Sequence, residues 1–197
     1  MNNPVGAGVK VMKYLIVALV STFLLSSPSH VAAEVSVGRY DVDPNQSSVS
    51  FRIRQLGLMA VEGRFKSFSG TIELAEPFDR TKVVGRVEVD SIDTGIRKRD
   101  EHLRSSAFFE VADFALMSFE STHVDGTLDN FRLEGKLTIK GVTHPVRFHG
   151  TRTGNPAAGD LVITATATVN RHDFGITYNP LINGATVITL KIVAHRK

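Results

Sequence analysis

Three features of the sequence predict an all-β protein built from short antiparallel strands. Apolar and polar residues alternate without interruption over residues 131–139, which is typical of a strand with one buried face. The same two-residue period recurs over residues 48–54 and 161–169. Turn-forming residues separate such runs at short intervals, and short strands joined by turns favour a β-sandwich or a β-barrel.

Nine strand-like runs follow one another between turn signals such as those at 43–45, 129–130 and 140–141. The most regular runs carry no charged residue on their apolar face, so a closed sheet would enclose a space lined almost wholly by carbon. Merging the shorter runs leaves eight or nine strands. The runs are 47–55, 60–65, 70–74, 82–89, 117–124, 130–139, 145–152, 160–169 and 186–194.

Residues 94–109 lack this alternation and are predicted to form the single short helix. Asp93 or Thr94 is expected to cap its start. A helix beside a barrel wall could act as a plug or lid, or it could be a solvated connection between strands. A buried pair of Arg99 and Asp100 would tie it to the barrel rim. Four residues at helical spacing are expected to share one side: Ile96, Asp100, Leu103 and Ala107.

The first 33 residues are predicted to be a secretory signal peptide, and residues 34–197 a single domain. Lys10 and Lys13 precede an apolar run over 14–25, and small residues at 31–33 suit cleavage after Ala33. The run is shorter than the ~20 apolar residues that span a bilayer. Translation from Met12 would leave a leader of more usual size. We therefore expect export to the periplasm.

Charge and cysteine content exclude several classes of protein. Removing Lys10 and Lys13 from the 23 basic residues leaves 21 against 20 acidic ones, a net charge of +1. A nucleic-acid partner is not expected, because it requires a concentrated basic surface. The chain has no cysteine, which excludes disulfides, a thiol nucleophile, cysteine-bound metals and a lipoprotein anchor.

Candidate catalytic groups are few. The triplet Asp173-Phe174-Gly175 matches a kinase motif without the other kinase elements, so it is interpreted as a turn. The histidines have no metal-ligand spacing, and no serine nucleophile elbow is present. We predict no catalytic residue, no metal and no cofactor. An enzyme that uses His102 or Asp173 at a barrel mouth, on a small apolar or amide substrate, is the alternative.

Phenylalanine dominates the aromatic content, with eleven residues beyond the leader and no tryptophan. Such residues fill a packed core, or they line a tunnel for a long apolar ligand, as in barrels that hold one small molecule. Small residues at inward positions favour a cavity, because they leave room that the facing phenylalanines need not fill. These small residues are Gly85, Gly135, Gly150, Ala165 and Ala167.

Several blocks in this order resemble the YceI-like family of secreted bacterial proteins. Two departures are Gln55, where the family often has histidine, and Ala115, where proline is common. The matching blocks cover nearly all of residues 34–197: Tyr40-Asp41-Val42-Asp43, Gly63-Arg64-Phe65, Phe68-Ser69-Gly70, Ser91-Ile92-Asp93-Thr94-Gly95, Arg99-Asp100-Glu101-His102-Leu103, Phe108-Phe109, Met117-Ser118-Phe119-Glu120-Ser121, Leu137-Thr138-Ile139-Lys140-Gly141-Val142-Thr143, Asn170-Arg171 and Asp173-Phe174-Gly175.

The resemblance implies an antiparallel eight-stranded lipocalin-like β-barrel with one short helix. It implies a long interior that holds a polyisoprenoid chain, as a polyprenyl phosphate or an isoprenoid quinone, and it implies no catalytic residues. The head group is not carried over, because Gln55 changes a polar contact at one end.

The predicted function is a periplasmic binding or carrier protein for such a lipid. A transient contact with the inner membrane is expected, the oligomeric state, including a homodimer, is left open, and service to a membrane redox partner is a further alternative. The wall residues predicted to contact the ligand are Phe51, Ile53, Val87, Val89, Phe119, Leu133, Leu137, Phe148, Ile163 and Leu190.

Overall fold

A computed structural model describes residues 35–55, 59–153 and 159–197, so the predicted signal peptide lies outside the described residues. Short 3-10 turns occur at Phe78–Arg80, Val89–Ser91 and Arg171–Phe174. The strands and the helix are β1 (Gly38–Val42), β2 (Ser48–Gln55), β3 (Met59–Phe65), β4 (Phe68–Leu74), β5 (Lys82–Glu88), β6 (Ile92–Asp93), α1 (Arg97–Arg104), β7 (Leu116–Thr127), β8 (Asn130–Ile139), β9 (Val142–Arg152), β10 (Leu161–Asn170) and β11 (Ile182–Arg196).

The strands form one closed antiparallel barrel. β1 and β2 are the two halves of one bent strand, since both pair with β11. β3 and β4 likewise form one bent strand, and β5 and β6 form another. Each of these bent strands pairs with its neighbours along both of its halves. When each bent strand is counted once, the barrel has eight strands in chain order, and the first strand pairs with the last. The predicted eight-stranded antiparallel barrel with one short helix is confirmed, and the sandwich alternative is wrong because the sheet closes.

Side chains alternate between the barrel interior and solvent as the sequence predicts. On β8, Phe131, Leu133 and Leu137 are buried, whereas Arg132 and Lys136 are exposed. β10 follows the same rule from Ala165 to Asn170. The two-residue period therefore identifies which face of these strands points inward.

Two strands were not recognised in the sequence, the two-residue strand β6 and β1. β1 has only five residues, and only Tyr40 and Val42 are apolar on its inward face, so its alternation is too short to recognise. Tyr40 is nevertheless fully buried. The strand becomes evident only through its pairing with β4 and β11.

Helix α1 is shorter than the predicted segment 94–109 and ends at Arg104. The predicted capping by Asp93 or Thr94 is wrong, because Ile96 occupies the N-cap position and its side chain makes no cap hydrogen bond. The predicted face is only partly right: Leu103 and Ala107 pack on the core, whereas Ile96 is 53% exposed.

The antiparallel order of the strands brings helix α1 and the segment 171–181 to the same end of the barrel. β2, β6, β8 and β10 end there, and β3, β7, β9 and β11 begin there. Helix α1 joins β6 to β7 at the same end, and the segment 171–181 joins β10 to β11. We call this the helix end. At the opposite end β1 begins and β11 finishes.

Candidate ligand-binding cavity

The barrel encloses two adjoining cavities. The inner cavity, of about 190 Å³, has walls that are almost entirely hydrocarbon. The helix-end cavity, of about 340 Å³, lies next to α1 and is also mainly apolar. Five residues contribute to both walls, so the two cavities are neighbours along the barrel. These shared residues are Phe51, Phe65, Met117, Ile139 and Ile188.

Nearly all of the phenylalanines in the described residues contribute to these two cavity walls. Phe119 and Phe148 meet edge to face with ring centroids 5.4 Å apart, and Phe78 contacts Phe131 at 6.4 Å. Ten of the eleven phenylalanines in the described residues line one or both cavities. The exception is Phe114, whose ring lies against Gly141.

The expectation that small inward residues leave room is wrong at two of the three glycines. A β-carbon on Gly135 would lie 2.6 Å from Cε2 of Phe119, and one on Gly150 would lie 2.5 Å from Cε2 of Phe131. The rings thus occupy the space that these glycines leave. At Gly85, by contrast, a β-carbon would meet only Ser69 O at 4.0 Å, and Gly85 does line the inner cavity.

Nine of the ten predicted wall residues lie on a cavity wall. Ile53 lines the helix-end cavity. Val89 does not belong with them, because β5 ends at Glu88 and Val89 starts a 3-10 turn, where it packs into the core at 2% exposure. The other predicted residues line the inner cavity: Phe51, Val87, Phe119, Leu133, Leu137, Phe148, Ile163 and Leu190.

Polar groups gather at the helix end and were not identified from the sequence as ligand contacts. Arg99 and His102 come from α1, Arg171 from the 3-10 turn after β10, and Tyr178 and Asn179 from the following loop. No aspartate or glutamate is among the described residues that line this cavity. The polar end of the interior is therefore cationic, and Arg99, His102 and Tyr178 can donate hydrogen bonds to an oxygen-bearing head group.

Arg171 organises the loop at this end. Its side chain is buried, and its five N–H groups donate to five backbone carbonyls. Burial lowers the pKa of Arg171 from its ordinary value. Since a guanidinium stays protonated, a fixed positive charge lies beside the cavity. The accepting carbonyls belong to Ile176, Tyr178, Asn179, Ile182 and Asn183, at 2.7 to 3.1 Å.

Arg99 and Asp100 are anchored differently from the expected ion pair. Asp100 is buried and accepts hydrogen bonds from the backbone N–H of Thr94 at 2.9 Å and from its hydroxyl at 2.5 Å. Arg99 donates to the hydroxyl and to the carbonyl oxygen of Thr94, both at 2.7 Å. Thr94 thus connects the two charged groups and fixes α1 on the barrel.

His102 is placed for aromatic contact. Its ring meets Phe108 and Tyr178 edge to face, with centroids 5.1 Å apart in each case. Asp173 is exposed and accepts a hydrogen bond from Asn170. Within the described ranges no carboxylate orients His102, so this geometry lacks the base–orienter pair of a nucleophilic enzyme.

Among the described residues, no group of three or more His, Asp or Glu side chains lies close enough together to hold a metal ion. None of the helices in these residues is both long and apolar enough to cross a bilayer.

Comparison with known proteins identifies relatives over most of the chain. The model of the YceI-like domain matches residues 40–195. Protein YceI of Salmonella arizonae is 34% identical over 170 residues, covering 84% of this chain and 87% of that protein. The same figures hold for Protein YceI of Salmonella paratyphi B.

Solved structures share the fold. Burkholderia cenocepacia BcnA superposes with a TM-score of 0.71 at 21% identity, covering 77% of this chain and 98% of BcnA. A polyisoprenoid-binding domain from Saccharophagus degradans superposes with a TM-score of 0.63 at 14% identity, over 82% and 100% of the two chains. Together with the family model and the curated relatives, the closed barrel shows that this chain belongs to the YceI-like family.

Proposed function

We propose that this protein is a periplasmic binding or carrier protein for a long isoprenoid lipid. The chain of the lipid occupies the two adjoining cavities, and its head group lies at the helix end. The observation that carries this proposal is the pair of adjoining apolar cavities, with Arg99, His102 and Arg171 gathered at the helix end. A polyisoprenoid has the matching form, a long hydrocarbon with one polar terminus.

Burial of the chain supplies the affinity. At ~0.8 kcal/mol per buried CH₂, each isoprene unit contributes several kcal/mol. A few units offset the cost of association, which is about 4–15 kcal/mol. The helix-end cavity, at about 340 Å³, falls within the usual size of ligand pockets, roughly 300–1,000 Å³.

The helix end suits a head group that accepts hydrogen bonds. Arg99, His102 and Tyr178 border the cavity, and the charge of Arg171 lies beside it. A polyprenyl phosphate offers anionic oxygens and a quinone offers carbonyl oxygens, so both head groups fit these donors. The fold neighbour described as a polyisoprenoid-binding domain supports this ligand class, and we assign no catalytic step to the protein.

The periplasmic location is supported by the predicted leader. Lys10, Lys13 and the apolar run 14–25 have the order of a secretory signal. The mass of the protein recovered from periplasm should correspond to a chain that begins at Glu34. A full-length mass there would contradict cleavage.

Native mass spectrometry of the protein purified from its own periplasm tests the ligand. We expect one co-purifying species that organic extraction identifies as a polyprenyl phosphate or an isoprenoid quinone. An empty protein that also takes up neither added ligand would overturn the proposal, because the interior would then be a packed core.

A space-filling variant locates the ligand within the barrel. Gly85→Leu places a side chain in the open part of the inner cavity, since a β-carbon there has 4.0 Å of clearance, and we expect lower uptake by a folded protein. Phe148→Asp, which puts a charge in the wall, should also reduce uptake. His149→Asp on the exposed face of the same strand is the control, and equal uptake by all three would contradict the assignment.

A further inference from the structure

We propose that the helix end of the barrel is a membrane-docking surface, which seats the mouth of the helix-end cavity on an anionic lipid leaflet. This surface adds a partner to the proposed function, and five of its six exposed apolar residues lie outside the cavity walls. The occupant is a lipid bilayer whose head groups carry negative charge.

Exposed apolar side chains are concentrated at this end. Of nine large hydrophobic residues that are exposed in the described ranges, six lie at the helix end. Val84 and Val187 lie along the barrel wall, and Val37 alone lies at the opposite end. Single exposed apolar residues are ordinary, but this one-sided distribution is not. We call the six residues the helix-end rim: Met59, Ile96, Leu116, Val142, Tyr178 and Leu181.

A rigid turn holds Leu181 outward. Asn179 adopts a left-handed conformation with φ of 58°, its side chain accepts a hydrogen bond from Leu181 N at 3.0 Å, and its carbonyl accepts one from Ile182 N at 3.1 Å. The Arg171 guanidinium also donates a hydrogen bond to the carbonyl oxygen of Asn179. Leu181 therefore stays 58% exposed on a preorganised support.

Ile96 is held outward in a similar way. It stands at the start of α1, where its carbonyl accepts from Asp100 N at 3.0 Å. The bonds between Asp100 and Thr94 fix the segment on either side. Ile96 is 53% exposed. Two separate polar networks thus present an apolar side chain beside the same cavity mouth.

Basic residues accompany the apolar ones. Helix α1 carries four arginine or lysine side chains against two acidic ones, of which Asp100 is buried and Glu101 pairs with Arg97 at 3.6 Å. Arg104 pairs with Asp90 at 2.9 Å. Lys98 is exposed and has no carboxylate within 4.0 Å among the described residues. Apolar side chains mixed with basic ones are typical of surfaces that sit in the interface of an anionic membrane.

The arrangement favours a bilayer over a protein partner. The apolar residues of the helix-end rim belong to separate elements around the mouth, with charged residues between them, and fluid lipid can surround such points. In a two-fold dimer through this surface, α1 of one copy would instead face the equally basic α1 of the other copy. Tyr178 is 46% exposed and also lines the cavity, so docking would let a lipid enter without crossing water.

Vesicle co-sedimentation tests the surface. The probes are phosphatidylethanolamine vesicles with and without phosphatidylglycerol, and the variant is the double substitution Ile96→Asp with Leu181→Asp. We expect wild-type protein to bind the anionic vesicles, to release with salt, and to lose at least about tenfold in affinity in the variant. Val37→Asp at the opposite end, where Val37 is 51% exposed, is the matched control and should bind like wild type.

Uptake of a short-chain quinone in solution is measured on the same samples. Retained uptake by the double variant shows that it is folded and separates docking from ligand binding. If wild-type protein binds the vesicles but takes up no quinone, the proposed function is contradicted and the docking proposal is not. The docking proposal is overturned if wild type binds neither vesicle, if the double variant and Val37→Asp bind equally, or if the variant instead abolishes a concentration-dependent dimer.

Discussion

Phenylalanine rings cover three inward glycines of the barrel, Gly63, Gly135 and Gly150. Phe51 lies directly opposite Gly63, and Phe131 directly opposite Gly150, on neighbouring strands. A glycine offers no side chain to pack, and an aromatic ring on the next strand covers the gap. The two cavities are therefore the space that these rings leave unfilled.

Gly135→Ala should destabilise the protein by about 1–3 kcal/mol, the usual cost of overpacking. Its β-carbon would lie 2.5 Å from Glu120 O and 2.6 Å from Phe119 Cε2, and the backbone atom cannot move aside. Gly85→Ala is the control, because its β-carbon meets open space, and it should change the free energy of unfolding by no more than about 1 kcal/mol. Urea unfolding measures both, and equal values would contradict the account.

Arg171→Lys should destabilise the protein by at least about 2 kcal/mol, although it keeps the positive charge. An ammonium has three donors, so it leaves at least two of the carbonyls that Arg171 now satisfies without a partner. Arg52→Lys is the control, since Arg52 is exposed and pairs with Glu62, and it should change stability by less than about 0.5 kcal/mol. A similar loss in both variants would show that Arg171 acts as a simple charge.

At the scale of elements, α1 depends on the segment that precedes it. Asp93 ends β6 and accepts hydrogen bonds from Lys66, Gly95 and Arg64. The Lys66 ammonium, together with Gly95 N–H, lowers the pKa of Asp93 to about 2. A short helix has little intrinsic stability, so these contacts and those of Thr94 hold it beside the cavity.

Asp100→Ala should lower stability by about 1–3 kcal/mol and weaken ligand uptake. It removes the acceptor of the Thr94 N–H and hydroxyl, which leaves part-buried donors without a partner. Glu101→Ala is the control, because its ion pair with Arg97 is exposed and worth less than about 1 kcal/mol. Thermal unfolding and quinone titration on both variants decide the question. Unchanged stability and uptake in Asp100→Ala would make α1 a solvated connection.

At the scale of the molecule, closure of the barrel depends on a short seam. β1 pairs with β11 through three residue pairs, including Asp41 opposite His195. The His195 ring also bonds to Asp160 at 2.8 Å and to Asp43 at 3.3 Å. This contact joins the bend after β1, the start of β10 and the end of β11.

Stability of the seam should depend on pH. Asp160 and Asp43 raise the pKa of His195 above 6.5, so its contribution is complete below pH 6.5 and is lost as pH rises through the folded value. Hydrogen bonds from Gln46 and Asn45, and from His195, lower the pKa of Asp43 below 3.8, so that contribution is present above pH 3.8 and is lost as pH falls through the folded value.

The melting temperature should therefore be higher at pH 5.5 than at pH 8. His195→Gln should remove most of this difference, because glutamine does not titrate. His149→Gln, on an exposed residue of β9, should retain it. A pH dependence that is the same in all three proteins would show that the seam does not titrate.

The sequence by itself determined the class of fold and the inward faces of the long strands. Strict alternation over 131–139 and 161–169 requires one buried face, and this information is local to each strand. It also located helix α1, and nine of the ten residues that it named for the apolar wall lie there. These features follow from neighbouring residues, so they can be recognised without knowing which strands pair.

Only the tertiary structure decided how much of the interior stays empty and where its polar end lies. The ring of Phe119 fills the space at Gly135, and Arg171 reaches carbonyls up to twelve residues away. β1 is recognised as a strand because it pairs with β11, which lies at the other end of the sequence. Such contacts join residues distant in sequence, and the local pattern cannot contain them.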